Sequence, residues 1–254
     1  MLLKVKRLYT YIGRFNMHTS EAGRSLGSVK PHRSKAKEAI ASRKDLLHLV
    51  ATRPIVNGTL KQAVETRAYY KYNGELGRLQ VGFFDNHRLQ GLGIETEFRE
   101  DGTVELQRQG DFNGGVLQGP GILTAYSTNG KLKWLSIGSF VNDLFEGPGK
   151  HIQYGENGTK VAELEGTYKK GSFEGSKVTL TSYGLDGGAK VGTKTGQYQN
   201  GDFKGFLKQI QYRNNGTLEW ELIGMYENRA FIEKAAMKIC YEKDGTTIES
   251  VSNV

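Results

Sequence analysis

Glycine recurs at Gly82, Gly110, Gly138, Gly166, Gly196 and Gly224, at intervals of 28, 28, 28, 30 and 28 residues. A fixed period of this length means one supersecondary unit repeated along the chain, each copy burying its apolar face against its neighbours. Arrays of this kind build extended surfaces, which suit holding other molecules better than transforming them.

Aligning the units on the leading glycine exposes constant columns. Two positions on stand Phe84, Phe112, Phe140, Tyr168, Tyr198 and Tyr226. Seven positions on stand Leu89, Leu117, Phe145, Phe173, Phe203 and Phe231. A second glycine follows nine positions on, from Gly91 to Gly205, and Glu233 replaces it in the last unit. A third, at Gly93, Gly121 and Gly149, gives way to Lys177, Leu207 and Ala235. An Asp-Gly or Asn-Gly pair closes the second half of each unit, as at Asp101-Gly102, Asn129-Gly130 and Asn215-Gly216. Such pairs favour the two-residue type I′ hairpin, with positive φ at both central residues. A looser turn is expected at Asn86-His87, Asn142-Asp143 and Asn228-Arg229. Two turns per unit imply two strands, and the β-branched and aromatic runs between them suit half-buried strands. Asn73-Gly74 stands 28 residues ahead of Asp101-Gly102, so a degenerate first unit begins near Pro54. The sheet is then on the order of 60 Å long at roughly 4.8 Å per strand.

Glycine inside a strand weakens it, so the Gly-x-Gly element answers a local need. Close packing of an aromatic over a position without a side chain is one such need, and a bulge is the other. A phosphate-binding role lacks the strand-to-helix transition that it requires.

Gly110-Asp111-Phe112, Gly119-Pro120-Gly121 and Asn129-Gly130 resemble the MORN repeat, and Gly138-Ser139-Phe140, Gly147-Pro148-Gly149 and Asn157-Gly158 repeat the likeness. The resemblance covers residues 54–250, with units of 28 residues where the usual MORN unit is shorter. It implies an all-β fold, an elongated single-sheet meander of MORN-like β-hairpins. It also implies roles in scaffolding, cytoskeletal or membrane attachment and assembly of complexes, and it brings no catalytic residue.

Charge divides the chain. Residues 1–53 hold 12 Lys/Arg against 3 Asp/Glu, whereas residues 54–254 hold 23 against 24. The basicity therefore belongs to the N-terminal extension. Within residues 1–33, Met1, Val5, Leu8, Ile12 and Phe15 form one helical stripe, and Lys4, Lys6, Arg7 and Arg14 are the only charges before Glu21. A basic, acid-poor amphipathic start has the form of a mitochondrial transit peptide. A partner-binding surface helix or a flexible tail is the other reading. Residues 34–53 read as a second short helix that caps the first strand, since an open sheet edge invites stray pairing. The repeat array occupies residues 54–254. Lys4, Lys6 and Arg7 interrupt any secretory signal, and no stretch is long enough to span a bilayer. Cys240 stands alone, which excludes an internal disulfide and suits a reducing compartment.

Catalytic patterns are missing from the sequence. The histidines lack metal-ligand spacing, so neither a metal nor a cofactor is expected. Gly147-Pro148-Gly149-Lys150 falls short of a nucleotide loop. Gln90, Gln118, Glu146, Glu174, Lys204 and Ile232 share one column, which reads as a solvated face. The Asn-Gly-Thr triplets at Asn157 and Asn215 read as turns and not as glycosylation sites. Trp134 and Trp220 share one column. Facing outward they would anchor a partner; facing inward they are core, which is the reading preferred here.

These features point to a non-catalytic scaffold without a small-molecule substrate. Its partners would be other protein subunits of a large assembly, mitochondrial in the first reading and ciliary or cytoskeletal in the second. Partner contacts are assigned to Trp134, Trp220, Lys4, Lys6, Arg7 and Arg14. The alternative is a tether whose basic N-terminal helix lies on an anionic membrane surface. RNA contact by the same segment is weaker, because Tyr9 and Tyr11 are its only interleaved aromatics.

Overall fold

A computed structural model describes residues 64–184 and 188–254. These fold into fifteen strands. In chain order they are β1 (Glu65–Tyr70), β2 (Leu76–Asp85), β3 (Arg88–Phe98), β4 (Val104–Asn113), β5 (Val116–Tyr126), β6 (Leu132–Val141), β7 (Leu144–Tyr154) and β8 (Lys160–Lys169). There follow β9 (Ser172–Phe173), β10 (Gly175–Tyr183), β11 (Lys190–Gln199), β12 (Asp202–Tyr212), β13 (Leu218–Glu227), β14 (Ala230–Tyr241) and β15 (Ile248–Asn253). All pair antiparallel in one sheet; fourteen follow one another as a meander, and the short β9 pairs with β8 beside β10. No helix occurs among the described residues. The two helices expected over residues 1–33 and 34–53 lie outside them, as do Lys4, Lys6, Arg7 and Arg14.

One face of the sheet carries both constant columns. Phe84, Leu89, Phe112, Leu117, Phe140, Phe145 and Tyr168 form a single buried cluster along it. The rings of Phe140 and Phe145 stack at 5.0 Å, and those of Phe145 and Tyr168 at 3.7 Å. This line of side chains is the spine of the array.

Beside the spine runs a row of glycines in mutual register: Gly82, Gly93, Gly110, Gly121, Gly138, Gly149 and Gly166. A Cβ on Gly121 would stand 3.0 Å from both the Gln109 carbonyl oxygen and the Leu117 side chain. Leu89, Leu117 and Phe145 of the seventh column therefore lie down on a floor of bare backbone. That is how one sheet, with no second layer, brings Leu89 and Leu117 to 0% and 1% exposure. Burial of this completeness is worth about 1.5–3 kcal/mol per side chain.

The two glycines of Gly-x-Gly thus have different duties. The second is the packing floor, covered by a Leu or Phe from its own strand and not by an aromatic from the next. The first is a bulge. Gly91, Gly119, Gly147 and Gly205 take φ between 67° and 84°, and pairing with the preceding strand breaks at each, as between Gly138 and Ser139 of β6 opposite β7. In later units the floor is filled from elsewhere, by Val178 over Gly166 and by Leu207 over Gly196. Beyond this point Val178, Phe203, Leu207 and Tyr226 form a second buried cluster, and Phe173 packs against both.

The turn types are exchanged relative to expectation. Both central residues have positive φ at Asn86-His87, Asn142-Asp143 and Asn228-Arg229, each a two-residue loop between paired strand ends such as Val141 and Leu144. These are the type I′ turns. At Asp101-Gly102 only the glycine has positive φ. There the Gly102 N–H donates to the Arg99 carbonyl (3.1 Å) and the Arg99 N–H to the Thr103 carbonyl (2.9 Å). This is the three-residue loop with a glycine bulge. The aspartate or asparagine serves through its side chain, since Asp101 Oδ1 accepts the Thr103 N–H (2.8 Å) and Asn157 and Asn215 do the same for Thr159 and Thr217 (3.0 Å each). In the Asn-Gly-Thr triplets of the array, the asparagine oxygen is part of the turn.

Two substitutions probe the spine. Phe140→Ala empties a site that is 1% exposed, and we expect a loss of about 3–5 kcal/mol in urea denaturation. Tyr168 carries a buried hydroxyl with no hydrogen-bond partner among the described residues, and burial pushes its pKa above the ordinary tyrosine value. Tyr168→Phe restores the residue of the earlier units and should leave stability unchanged or raise it by about 1 kcal/mol, read from the same denaturation curves.

Candidate functional site

Beyond the glycine row, the spine face continues as two rows of side chains that differ from unit to unit. In the nearer row Gln80, Glu95, Arg108, Leu123, Ser136 and His151 are successive register partners. It continues through Leu164, Leu180, Lys194, Gln209, Leu222 and Lys238. The farther row holds Trp134 between Ala125 and Gln153, and Trp220 between Gln211 and Cys240. A constant spine beside a variable strip on one face is the arrangement expected where the scaffold is fixed and the recognition surface is not.

Three chemical zones follow along the strip. The first is ionic. Glu95 is 2% exposed and pairs with Arg108 and with Arg78 (3.7 Å), while the Gln80 side-chain amide donates to it. Arg108 also reaches Glu97 (2.6 Å) and Asp143 (3.3 Å). Burial alone would lower the Arg108 pKa; the attraction of Glu95, Asp143 and Glu97 outweighs it and holds the guanidinium firmly cationic. Closed on itself in this way, the cluster links β2, β3, β4 and the β6–β7 turn.

The second zone is aromatic. Trp134 and His151 have ring centroids 5.6 Å apart, and the Ser136 hydroxyl lies 2.9 Å from His151 Nδ1. Burial lowers the His151 pKa, favouring the neutral ring. Ser136 is 5% exposed, which suits a satisfied structural pair better than a nucleophile open to substrate. Trp134 is half-buried, neither a member of the spine clusters nor fully exposed. The third zone spans β10 to β14. There Lys238 lies 5.3 Å from the ring centroid of the half-buried Trp220, and Lys194 lies 5.3 Å from that of Tyr226. Cys240 is a free, half-buried thiol beside Trp220. The two tryptophans therefore share the spine face, as their common column required.

The sheet gives the column of Gln90, Gln118 and Glu146 a role that reading it as a solvated face missed. The side-chain oxygen of each accepts the first N–H of the next unit's type I′ turn, at 2.8 Å from Gly114, 3.0 Å from Asn142 and 2.7 Å from Lys170. Gln and Glu are equivalent here because both present an acceptor oxygen. Lys204 and Ile232 present none, and Glu174, although it presents one, makes no such bond among the described residues, so these tethers serve the first half of the array. On the opposite face Lys150 joins Glu163 (2.7 Å) and Glu165 (3.5 Å), and Lys160 joins Glu163 (3.1 Å). Among the described residues, no three His, Cys, Asp or Glu side chains cluster to hold a metal ion.

No protein-family model and no curated protein matches the chain.

The depressed His151 pKa carries a pH signature. The unfolded chain takes up a proton near the ordinary value of 6.5, while the buried neutral ring resists it. Stability from this site is complete above that pH and is lost as the pH falls below it. Urea midpoints measured between pH 7.5 and pH 5 should decline on acidification, and His151→Gln should flatten the decline.

Proposed function

We propose that the chain is a non-catalytic docking scaffold of the MORN type, a subunit that presents the variable strip of its repeat sheet to other proteins of a larger assembly. The carrying observation is the contrast within one face. Spine and glycine columns repeat from unit to unit, and the adjoining strip, with both tryptophans, does not. Half-buried tryptophans on a flat sheet are suited to anchoring a partner side chain, since such residues dominate binding energy at protein interfaces. The ionizable groups that the sheet brings together in its ionic zone and on the opposite face pair with one another. That arrangement favours a structural role over turnover.

The compartment in this reading is the mitochondrion, on the strength of the basic, acid-poor segment over residues 1–33; a ciliary or cytoskeletal assembly is the second choice. Native extracts test the scaffold. The endogenous chain, 28.2 kDa by itself, should migrate in a stable complex of much larger size. Trp134→Ala with Trp220→Ala should release it as a folded monomer with unchanged circular dichroism. A wild-type chain that runs alone, or a double variant that stays in the complex, overturns the reading.

A further inference from the structure

The third zone of the strip has a composition that the other two lack. From β8 to β15 the two variable rows read Leu164, Leu180, Lys194, Gln209, Leu222, Lys238, Ser252 in one line and Ala162, Ser182, Gly192, Gln211, Trp220, Cys240, Ser250 in the other. Neither line contains a carboxylate. The acids of these strands, such as Glu221, alternate to the opposite face, where Glu221 holds Lys208 at 2.9 Å. Among the described residues Lys194 and Lys238 have no acidic partner and rest near aromatic rings instead. This is the reverse of the first zone, where every cation on the strip is matched.

Gly192, on the same strand as Lys194, opens the surface between Ser182 and Gln211. A Cβ there would stand 3.0 Å from the Ile210 carbonyl oxygen. Without it the sheet keeps a notch of about 100 Å³, lined by Ser182, Lys194, Gln209 and Gln211 among others. Hydroxyl, amide and ammonium groups converge on this notch, and Leu222 and Trp220 flank it on the next strand.

We infer that this zone binds an extended acidic peptide segment of a partner, with two carboxylates on one side of the strand and an apolar residue midway between them. The inference rests on the scaffold reading and names the chemistry of one docking partner. Its spacing follows from the sheet. Lys194 and Lys238 are three strands apart in one row, about 14 Å at roughly 4.8 Å per strand. In an extended peptide, side chains at i and i+4 project to the same side about 13–14 Å apart. The residue at i+2 then falls over Gln209 and Leu222, beside Trp220. Nucleic acid and anionic membrane surfaces draw affinity from many cations in concert; residues 54–254, with 23 basic against 24 acidic residues, carry no net positive charge, and this zone offers an apolar centre.

The test uses the purified full-length chain and two fluorescein-labelled peptides of identical composition. One carries Glu-Ser-Leu-Ser-Glu, and in the other the two glutamates are adjacent. Because both have the same charge, the basic residues 1–53 attract them equally, and only the spacing separates them. Fluorescence anisotropy should show the spaced peptide binding about tenfold more tightly, a difference of about 1.4 kcal/mol. Lys194→Met with Lys238→Met should erase that preference, and Lys133→Met on the opposite face should preserve it. Equal binding of the two peptides overturns the proposal, as does a preference that survives in the double variant. Inorganic polyphosphate or phosphatidylserine vesicles that displace the spaced peptide more effectively than the unlabelled peptide also overturn it, in favour of a polyanion or lipid ligand. Failure here removes this site and leaves the scaffold reading to the native-complex measurement.

Discussion

A single β-sheet has no second layer to cover its apolar face, and the whole structure depends on how this chain answers that constraint. Its answer is to omit Cβ atoms along a line. Where seven consecutive strands each contribute a glycine in register, the backbone itself becomes an apolar floor, and Leu89, Leu117 and Phe145 lie on it instead of standing upright. Entropy disfavours glycine in a strand by about 0.5–1 kcal/mol relative to alanine. Burial of Leu89, Leu117 and Phe145 offsets that cost in the first three of these units. The bulge at the preceding glycine bends the strand end, so that the side chain of the seventh column can reach the floor.

Because the spine secures the fold, the adjoining rows are free to differ. The same register that aligns the glycines also aligns Glu95 with Arg108, Ser136 with His151 and Gln209 with Leu222. One geometry thus carries an ionic knot, an aromatic step and a lysine-flanked notch in turn. The ionic knot joins strands to one another, whereas Lys194, at the notch, and Lys238 rest near aromatic rings.

Much of the fold is legible in the columns. Glycine and aromatic periodicity specifies strand count, strand order and the identity of the spine, because each column performs one physical task in every unit. The turn geometries are less legible. An Asx-Gly pair fits either a two-residue I′ turn or the last positions of a three-residue loop, and the choice depends on how many residues separate the last paired positions, as between Phe98 and Val104. The docking strip is legible only in part. Trp134 and Trp220 declare themselves by sharing a column, but the segregation of Lys194 and Lys238 from Glu221 depends on which face each residue takes, and every bulge resets that count. The Gln90, Gln118 and Glu146 tether escapes a reading by charge, because what the site requires is an oxygen, neutral or anionic. A comparison of columns by hydrogen-bond acceptor would have found it.

The turn tether ends with Glu146 and Lys170, while Phe173 packs against both buried clusters and carries the aromatic run on to Tyr198. Under tension along the strand order, hairpins beyond β8 would open by losing strand pairing and side-chain packing, without that tether to break. Each unit so released would add 28 or 30 residues of chain, on the order of 90–110 Å when extended, so the array would lengthen in discrete steps.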